Sequence, residues 1–107
     1  MGGNGGVTGG ANLFPKLYVK MYEAAVEHDF ETIKVLQKQI LEIATLLYTI
    51  GKYNSSYLKG VKGAASLLGI CNNNLASPLK PFLDKEMSQI SSNLVNIKAH
   101  LEHLSLI

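Results

Sequence analysis

Apolar residues in two long segments of the chain recur at alternating spacings of three and four, which is the period of an amphipathic α-helix. The first segment covers residues 30–50 and the second covers residues 84–104. In the first segment further apolar residues widen the stripe, so this helix needs neighbours on at least two sides. The stripe positions are Ile33, Leu36, Ile40, Ile43, Leu47 and Ile50 in the first segment, and Met87, Ile90, Leu94, Ile97, Leu101 and Leu104 in the second.

Two shorter helices are predicted, one over residues 13–26 and one over residues 56–68. The later of the two contains Gly60 and Gly63, each of which weakens a helix by about 1 kcal/mol relative to Ala. Glycines kept at this cost usually mark the close approach of another backbone. The expected apolar faces are Leu17, Met21, Ala24 and Ala25 in the earlier helix, and Leu58, Val61, Ala65 and Leu68 in the later one.

Capping residues support these boundaries, because carboxylate and amide side chains accept hydrogen bonds from the free N–H groups of a helix start. Residues 70–82, with three consecutive asparagines and two prolines, are expected to be irregular. The predicted fold class is mainly α, with about four helices after a glycine-rich strand remnant. The predicted N-caps are Asn12, Asp29 and Asp84, and the glycines expected to end two helices are Gly51 and Gly69.

The chain begins with six glycines among its first ten residues, placed around the short β-prone pair Val7-Thr8. We expect a very short strand or a tight loop that leads into the first helix. Phosphate-binding motifs do not fit, since the P-loop lysine is missing and a GxGxxG pattern from Gly3 meets Thr8 at its last glycine. A linker would account for residues 1–6 only, because the following residues run without a break into the first helix.

Three segments of the chain carry a resemblance to a known enzyme family. They are the glycine-rich start with Gly2, Gly5, Gly9 and Asn12, the helix at residues 57–69, and the proline-containing segment at residues 78–82. In order and spacing they resemble the C-terminal region of the dihydrodipicolinate synthase / N-acetylneuraminate lyase family. Its members are (β/α)8-barrel enzymes, class I aldolases that use pyruvate through a lysine Schiff base.

The resemblance implies that the chain is a C-terminal fragment of such an enzyme. A (β/α)8 barrel takes roughly 250 residues, whereas this chain has 107. The last barrel strand, its loop and the eighth-helix segment would occupy residues 1–28, and a C-terminal helical segment would occupy residues 29–107. The reactive lysine, the catalytic tyrosine and the pyruvate-carboxylate loop would lie upstream. No catalytic residue is therefore expected in this chain, which alone should be inactive.

The resemblance also implies a part for the glycine-rich start as the wall of a substrate pocket. The backbone carbonyl of Val7 would face the Schiff base, and Thr8, Gly9 and Gly10 would line the mouth. The substrate would be a small 2-oxo acid, cleaved or condensed by aldol chemistry without a further cofactor. Gly9 stands where sugar-acid lyases of the family carry serine, which argues against a neuraminate and leaves dipicolinate-type and deoxy-sugar-acid substrates open.

Composition excludes several other classes of partner. The net charge of +2 is too small to indicate nucleic-acid binding. No apolar run approaches the roughly 18 residues that span a bilayer, so no membrane partner is expected. The single cysteine, Cys71, cannot form an internal disulfide and fits a reducing, cytoplasmic compartment. We expect it to be a small buried or half-buried thiol rather than a nucleophile.

Other candidate chemistry is sparse. His100 and His103 stand at i, i+3 near the end of the last helix, but two ligands without a third do not make a metal site. We expect them to be solvated, and we expect no metal centre. The five tyrosines are interpreted as packing residues with a polar tip, although Tyr53 or Tyr57 could instead border a neighbouring subunit.

The apolar content of 47% is high for so small a helical chain. Such a chain either packs very tightly, forms oligomers, or has been cut from a larger core. We expect a homo-oligomer, most simply a two-fold dimer whose contact centres on the first two helices. The alternative to an enzyme fragment is therefore a non-enzymatic helical module that associates through its apolar helices.

Overall fold

The computed structural model describes residues 2–106. Within that range the chain forms four α-helices preceded by one 3₁₀ turn, and it contains no strand. The fold class is thus mainly α, as predicted, although the strand remnant is absent. In chain order the elements are the 3₁₀ turn Gly9–Asn12, α1 Pro15–Val26, α2 Phe30–Tyr48, α3 Ser56–Leu67 and α4 Asp84–His103.

The core lies around α2, which packs against α1, α3 and α4. Its largest fully buried side chains are Leu17 of α1, Leu47 of α2, and Ile90 and Leu101 of α4. Burying one such side chain contributes roughly 1.5–3 kcal/mol. Helix α2 is the central element, since it contacts each of the other three helices. Every stripe position of α2 and α4 is buried or half-buried, as predicted. The residues that widen the α2 stripe do not find the predicted neighbours, because Val35, Leu41 and Leu46 stay exposed.

Helix α3 packs mainly through small residues, and the predicted face is confirmed only in part, at Ala65 and Leu68. Leu58 is 48% exposed, so its predicted place in the core is wrong, whereas the glycines and alanines of α3 are buried. At Gly60 the carbonyl of Leu47 fills the space that a side chain would need. A Cβ there would lie 3.1 Å from the carbonyl carbon and closer still to its oxygen. The expected close approach of another backbone is confirmed at Gly60, while Gly63 faces the Met87 side chain.

The predicted N-caps have different outcomes. The Asp29 carboxylate accepts hydrogen bonds from the Thr32 N–H at 3.2 Å and the Thr32 hydroxyl at 2.6 Å, which confirms it as the cap of α2. The predictions for Asn12 and Asp84 are wrong. Asn12 lies in the 3₁₀ turn, where its amide donates to the Gly9 carbonyl at 3.1 Å, and Asp84 is already the first residue of α4.

Three helices end on a residue with left-handed backbone. These residues are His28 after α1, Gly69 after α3 and Ser105 after α4, with φ of 56°, 76° and 57°. In each case two N–H groups just beyond the helix donate back to carbonyls of its last turn, as Gly69 does to Ser66 at 3.1 Å. This is the Schellman arrangement, which Gly adopts without a steric cost and His or Ser does not. The prediction that Gly69 ends α3 is confirmed.

The glycine-rich start takes the loop alternative of the prediction and not the strand. Residues 2–8 are exposed and belong to no regular element. A lone strand of this length has no neighbour to satisfy its backbone groups, which explains why the loop is observed. The chain first turns at Gly9, where the Ala11 N–H donates to the Thr8 carbonyl at 3.2 Å.

The apolar stripe of α1 is used within the chain. By the resemblance, this stripe should face barrel strands, but Leu17 and Ala24 are buried in the chain's own core. The side chains that α1 leaves exposed are instead Val19, Tyr22 and Val26, on a different face. Within residues 2–106 each helix is too short or too polar to cross a bilayer.

Replacing Gly60 by alanine should lower the free energy of unfolding by about 1–3 kcal/mol, because the new methyl group would overlap the Leu47 carbonyl and overpacking costs about that much. Gly63→Ala is the matched control. Both changes gain helix propensity, but a methyl at position 63 meets the movable end of Met87, 3.0 Å from its sulfur. Urea unfolding followed by circular dichroism measures the free energy of unfolding of both variants. Equal losses of free energy in Gly60→Ala and Gly63→Ala would contradict the backbone contact.

Candidate pocket wall and tyrosine cluster

The residues predicted to form a pocket wall lie where the extended start meets the 3₁₀ turn. Val7 and Thr8 are exposed, and Thr8 keeps an extended backbone with φ of −107° and ψ of 132°. Gly9 is half-buried, and Gly10 is buried. The structure therefore brings the four residues together in one short segment, of which the glycine end is packed against the helices and the Val7 end projects away from them.

Tyrosine side chains occupy the space beside both glycines. A Cβ on Gly9 would lie 2.9 Å from Cζ of Tyr57, and closer still to its hydroxyl oxygen. A Cβ on Gly10 would lie 2.8 Å from Cζ of Tyr18 and 2.8 Å from the hydroxyl of Tyr48. Real Cβ atoms do not come so close to other heavy atoms, so no larger residue fits at either position without displacing a tyrosine. We call Tyr18, Tyr48 and Tyr57 the tyrosine cluster.

The cluster joins three helices, because Tyr18 belongs to α1, Tyr48 to α2 and Tyr57 to α3. The rings of Tyr48 and Tyr57 meet edge to face, with centroids 4.9 Å apart and planes at 72°. Such a pair contributes about 0.5–1.5 kcal/mol beyond the area it buries. The interpretation of these tyrosines as packing residues is confirmed, and the polar tips all point towards the glycine turn.

Two hydroxyls of the cluster, those of Tyr18 and Tyr48, have a raised pKa. Burial raises the pKa of Tyr48 far above its ordinary value, and the neighbouring Tyr18 and Tyr57 raise it further. Burial also raises the pKa of Tyr18. The Tyr18 and Tyr48 hydroxyls are close enough to affect each other, but they do not meet in hydrogen-bond geometry, and the buried Tyr48 hydroxyl has no partner among the described residues. The raised pKa keeps the Tyr18 and Tyr48 hydroxyls protonated at neutral pH, so each can donate a hydrogen bond.

A shallow groove of about 760 Å³ runs between the glycine-rich start and the exposed face of α1. Its lining is mostly carbon, which suits the packing of apolar surface more than the binding of a charged group. It is lined by Gly3, Asn4, Gly5, Gly6 and Thr8 from the start, and by Pro15, Val19, Tyr22 and their neighbours from α1.

The remaining candidate residues do not form a site. His100 and His103 are exposed in the last turn of α4, and residues 2–106 hold no group of three or more possible metal ligands. Cys71 is exposed, so its predicted burial is wrong. It lies in the irregular stretch between α3 and α4, and such connections run over the surface.

Sequence reasoning proposed a pocket wall from the resemblance but missed the tyrosine cluster that packs against its glycines. The available signal was a pair of adjacent glycines in a chain with tyrosines in three separate helices. Spacing alone could not show that the three hydroxyls meet at one turn, because residues 18, 48 and 57 come together only in the folded chain.

Above pH 10, the ordinary pKa of tyrosine, the folded chain should hold a proton on Tyr48 that the unfolded chain has lost. The stabilisation from this raised pKa is complete below pH 10 and is lost as the pH rises further. The melting temperature should therefore fall more steeply above pH 10 in the wild type than in Tyr48→Phe. Tyr53→Phe, which removes an exposed tyrosine outside the cluster, is the control and should behave as the wild type does. Parallel profiles for the wild type and Tyr48→Phe would contradict the raised pKa.

Comparison with known proteins places the chain in a family. Residues 1–97 match the model of the dihydrodipicolinate synthetase family. Two 4-hydroxy-tetrahydrodipicolinate synthases are similar to this chain. The protein from Methanosarcina mazei is 32% identical over 88% of this chain and 31% of its own length. The protein from Azobacteroides pseudotrichonymphae is 31% identical over 78% of this chain and 27% of its own.

A solved structure is also similar to this chain, in agreement with the family match and with the two relatives. The dihydrodipicolinate synthase from Bacteroides thetaiotaomicron has a TM-score of 0.85 and 47% sequence identity, over 89% of this chain and 32% of that chain. The chain thus spans about a third of the length of the relatives it matches. The sequence resemblance and the helical fold class are confirmed, and the chain belongs to the dihydrodipicolinate synthetase family.

Proposed function

We propose that the chain serves as the C-terminal part of a pyruvate-dependent lyase or synthase, which cleaves or condenses a small 2-oxo acid through a lysine Schiff base. The observation that carries the proposal is the likeness to the Bacteroides synthase, with a TM-score of 0.85 at 47% identity. The share of that enzyme covered, 32%, fits one portion of a larger barrel. The two segments of the proposal are residues 1–28, at the barrel's end, and residues 29–107, the helical extension.

In the proposed enzyme this chain supplies part of the pocket wall and no catalytic group. Val7, Thr8, Gly9 and Gly10 would border the mouth of the barrel, where (β/α)8 enzymes carry out their chemistry. The exposure of Val7 and Thr8 supports this assignment, because their side chains are not used in the chain's own core. The proposed setting is cytoplasmic, where an exposed thiol such as Cys71 stays reduced.

The lysines of the chain are poorly suited to Schiff-base chemistry. A reactive lysine usually has its pKa lowered by desolvation in an apolar pocket or by a neighbouring cation. All ten lysines here are exposed or half-buried, and none is fully buried. This supports the expectation that the isolated chain is inactive and that the reactive lysine would lie in another part of the barrel.

The test is a chimera in which this chain replaces the matching C-terminal segment of the Bacteroides synthase. We expect the chimera to condense pyruvate with the aldehyde substrate of the parental enzyme. We expect the chain alone to give no pyruvyl adduct when it is mixed with pyruvate and borohydride and then weighed by mass spectrometry. The intact parental synthase is the positive control for both measurements.

Two results would count against the proposal. A stoichiometric adduct on one lysine of the isolated chain would show that the chain carries its own catalytic group. A folded chimera that forms the adduct but does not turn over would show that this segment cannot supply the wall. A chimera whose circular dichroism matches that of the parent establishes the folding that this second result requires.

A second candidate function is self-association of the chain, which the exposed apolar surface favours. Besides the exposed side chains of α1, helix α2 leaves several large apolar residues uncovered, and monomers rarely tolerate such patches when they are contiguous. The partner would be a second copy, with the contact centred on the first two helices. The exposed residues on these helices are Val19, Tyr22, Val26, Phe30, Val35, Leu41 and Leu46.

Sedimentation at micromolar concentration should show a dimer of the isolated chain. Leu41→Lys should shift the equilibrium towards the monomer, because it places a charge in the proposed contact without touching the core. Ser91→Lys, on the exposed polar side of α4, is the matched control and should leave the dimer intact. A clean monomer at that concentration, or a dimer sensitive only to Ser91→Lys, would rule out this face.

A further inference from the structure

We infer that the tyrosine cluster is a positioning device for the pocket wall, in which the Tyr57 hydroxyl sets the position of Gly9. The inference rests on the proposed function for the meaning of the wall, but the contact itself belongs to this chain. Tyr57 is a positioning residue in this account, since it acts on the pocket through the turn and not on the reacting atoms.

The turn and the wall move together because they share hydrogen bonds. The Ala11 N–H donates to the Thr8 carbonyl at 3.2 Å, and the N–H groups of Leu13 and Phe14 both donate to the Gly10 carbonyl at 3.0 Å. Thr8 is thus tied to the turn that the cluster contacts. A displacement of Gly9 would be passed to Thr8, and through the next peptide bond to Val7.

The tyrosine rings of the cluster are held by the contact between α2 and α3. Tyr57 stands three residues before Gly60, and Tyr48 directly follows Leu47, so both rings flank the close contact between α2 and α3. The edge-to-face packing of the two rings adds a second constraint. Although Tyr57 is 41% exposed, its ring is held by Tyr48 and by the close contact of the two helices. Residues 2–8, on the other side of the turn, belong to no regular element.

The two partners are complementary in shape. The Tyr57 hydroxyl stands where the Cβ of residue 9 would be, so the hydroxyl and a methyl group at position 9 compete for one space. Gly9→Ala alone should push the turn away from α3. Tyr57→Phe alone should leave a gap beside Gly9. The double variant Gly9→Ala/Tyr57→Phe puts the methyl into the space that the hydroxyl vacates, and it should restore most of the original position.

The contact is tested first in the isolated chain by amide hydrogen exchange. Gly9→Ala should increase the exchange of the Ala11 and Leu13 amides, and the double variant should bring it back towards the wild-type rate. Gly5→Ala is the matched control, since a Cβ there meets nothing within 4 Å. Unchanged exchange in Gly9→Ala, or no recovery in the double variant, would overturn the inference whatever the enzyme does.

The effect on the pocket is tested in the chimera with the Bacteroides synthase, at a temperature where every variant is folded. A misplacement of about 1 Å can cost roughly a hundredfold in rate. We therefore expect kcat/KM to fall at least tenfold in Gly9→Ala, to recover most of that loss in the double variant, and to stay unchanged in Ser91→Ala, on the exposed polar side of α4. A purely structural contact would change the melting temperature in the same pattern and leave kcat/KM constant.

The outcomes separate this inference from the proposed function. An active chimera with the same kcat/KM before and after Gly9→Ala would overturn the positioning role alone. A folded wild-type chimera that forms the pyruvyl adduct but does not turn over would overturn the proposed function, and with it the role of the cluster in a pocket. Recovery of kcat/KM in the double variant, together with recovery of amide protection, is the expected result.

Discussion

The contact between Gly60 and the Leu47 carbonyl determines how the rest of the molecule is arranged. It brings the backbones of α2 and α3 together, so α3 can pack through glycine and alanine instead of large side chains. It also fixes the tyrosines on either side of it. Tyr48 and Tyr57 meet edge to face, and both reach the glycine turn only because their helices are this close. A backbone contact inside the helical body thus determines the position of a turn at its edge.

Apolar burial supplies most of the cohesion, since few polar contacts join one helix to another. Among residues 2–106 the ion pair is between Lys34 and Glu31, which are neighbours on α2 and mostly exposed, and such pairs contribute little. The long-range side-chain hydrogen bond runs from the Asn93 amide to the Leu46 carbonyl at 2.8 Å. That carbonyl belongs to the last turn of α2, where it has no partner in its own helix. The bond therefore ties α4 to the end of the central helix.

The parts that sequence predicted well are those that depend on periodicity. The stripes of α2 and α4 needed only the recurrence of apolar residues, and Asp29 caps α2 because its carboxylate is directly followed by a helical segment. The predicted face of α3 was wrong at Leu58, which is exposed, because a hydropathy pattern counts large apolar residues and overlooks buried glycines such as Gly60. A tight loop at Gly9 and Gly10 was one of two alternatives, and the choice could not be made from the sequence because the side chains packed against this turn are distant in sequence. The wall residues themselves came from resemblance to a family and not from any local rule.

The crowding at Gly10 restricts the order in which this sequence can change over time. Hydroxyl groups from two different helices lie beside that glycine, so a larger residue there requires Tyr18 and Tyr48 to be displaced or replaced. Each replacement taken alone opens a gap in the packing and lowers stability before any benefit is gained. The route to a side chain at position 10 therefore passes through weakened intermediates, and drift alone will seldom complete it. Gly10 should persist among close descendants of this chain even where selection on the substrate has relaxed.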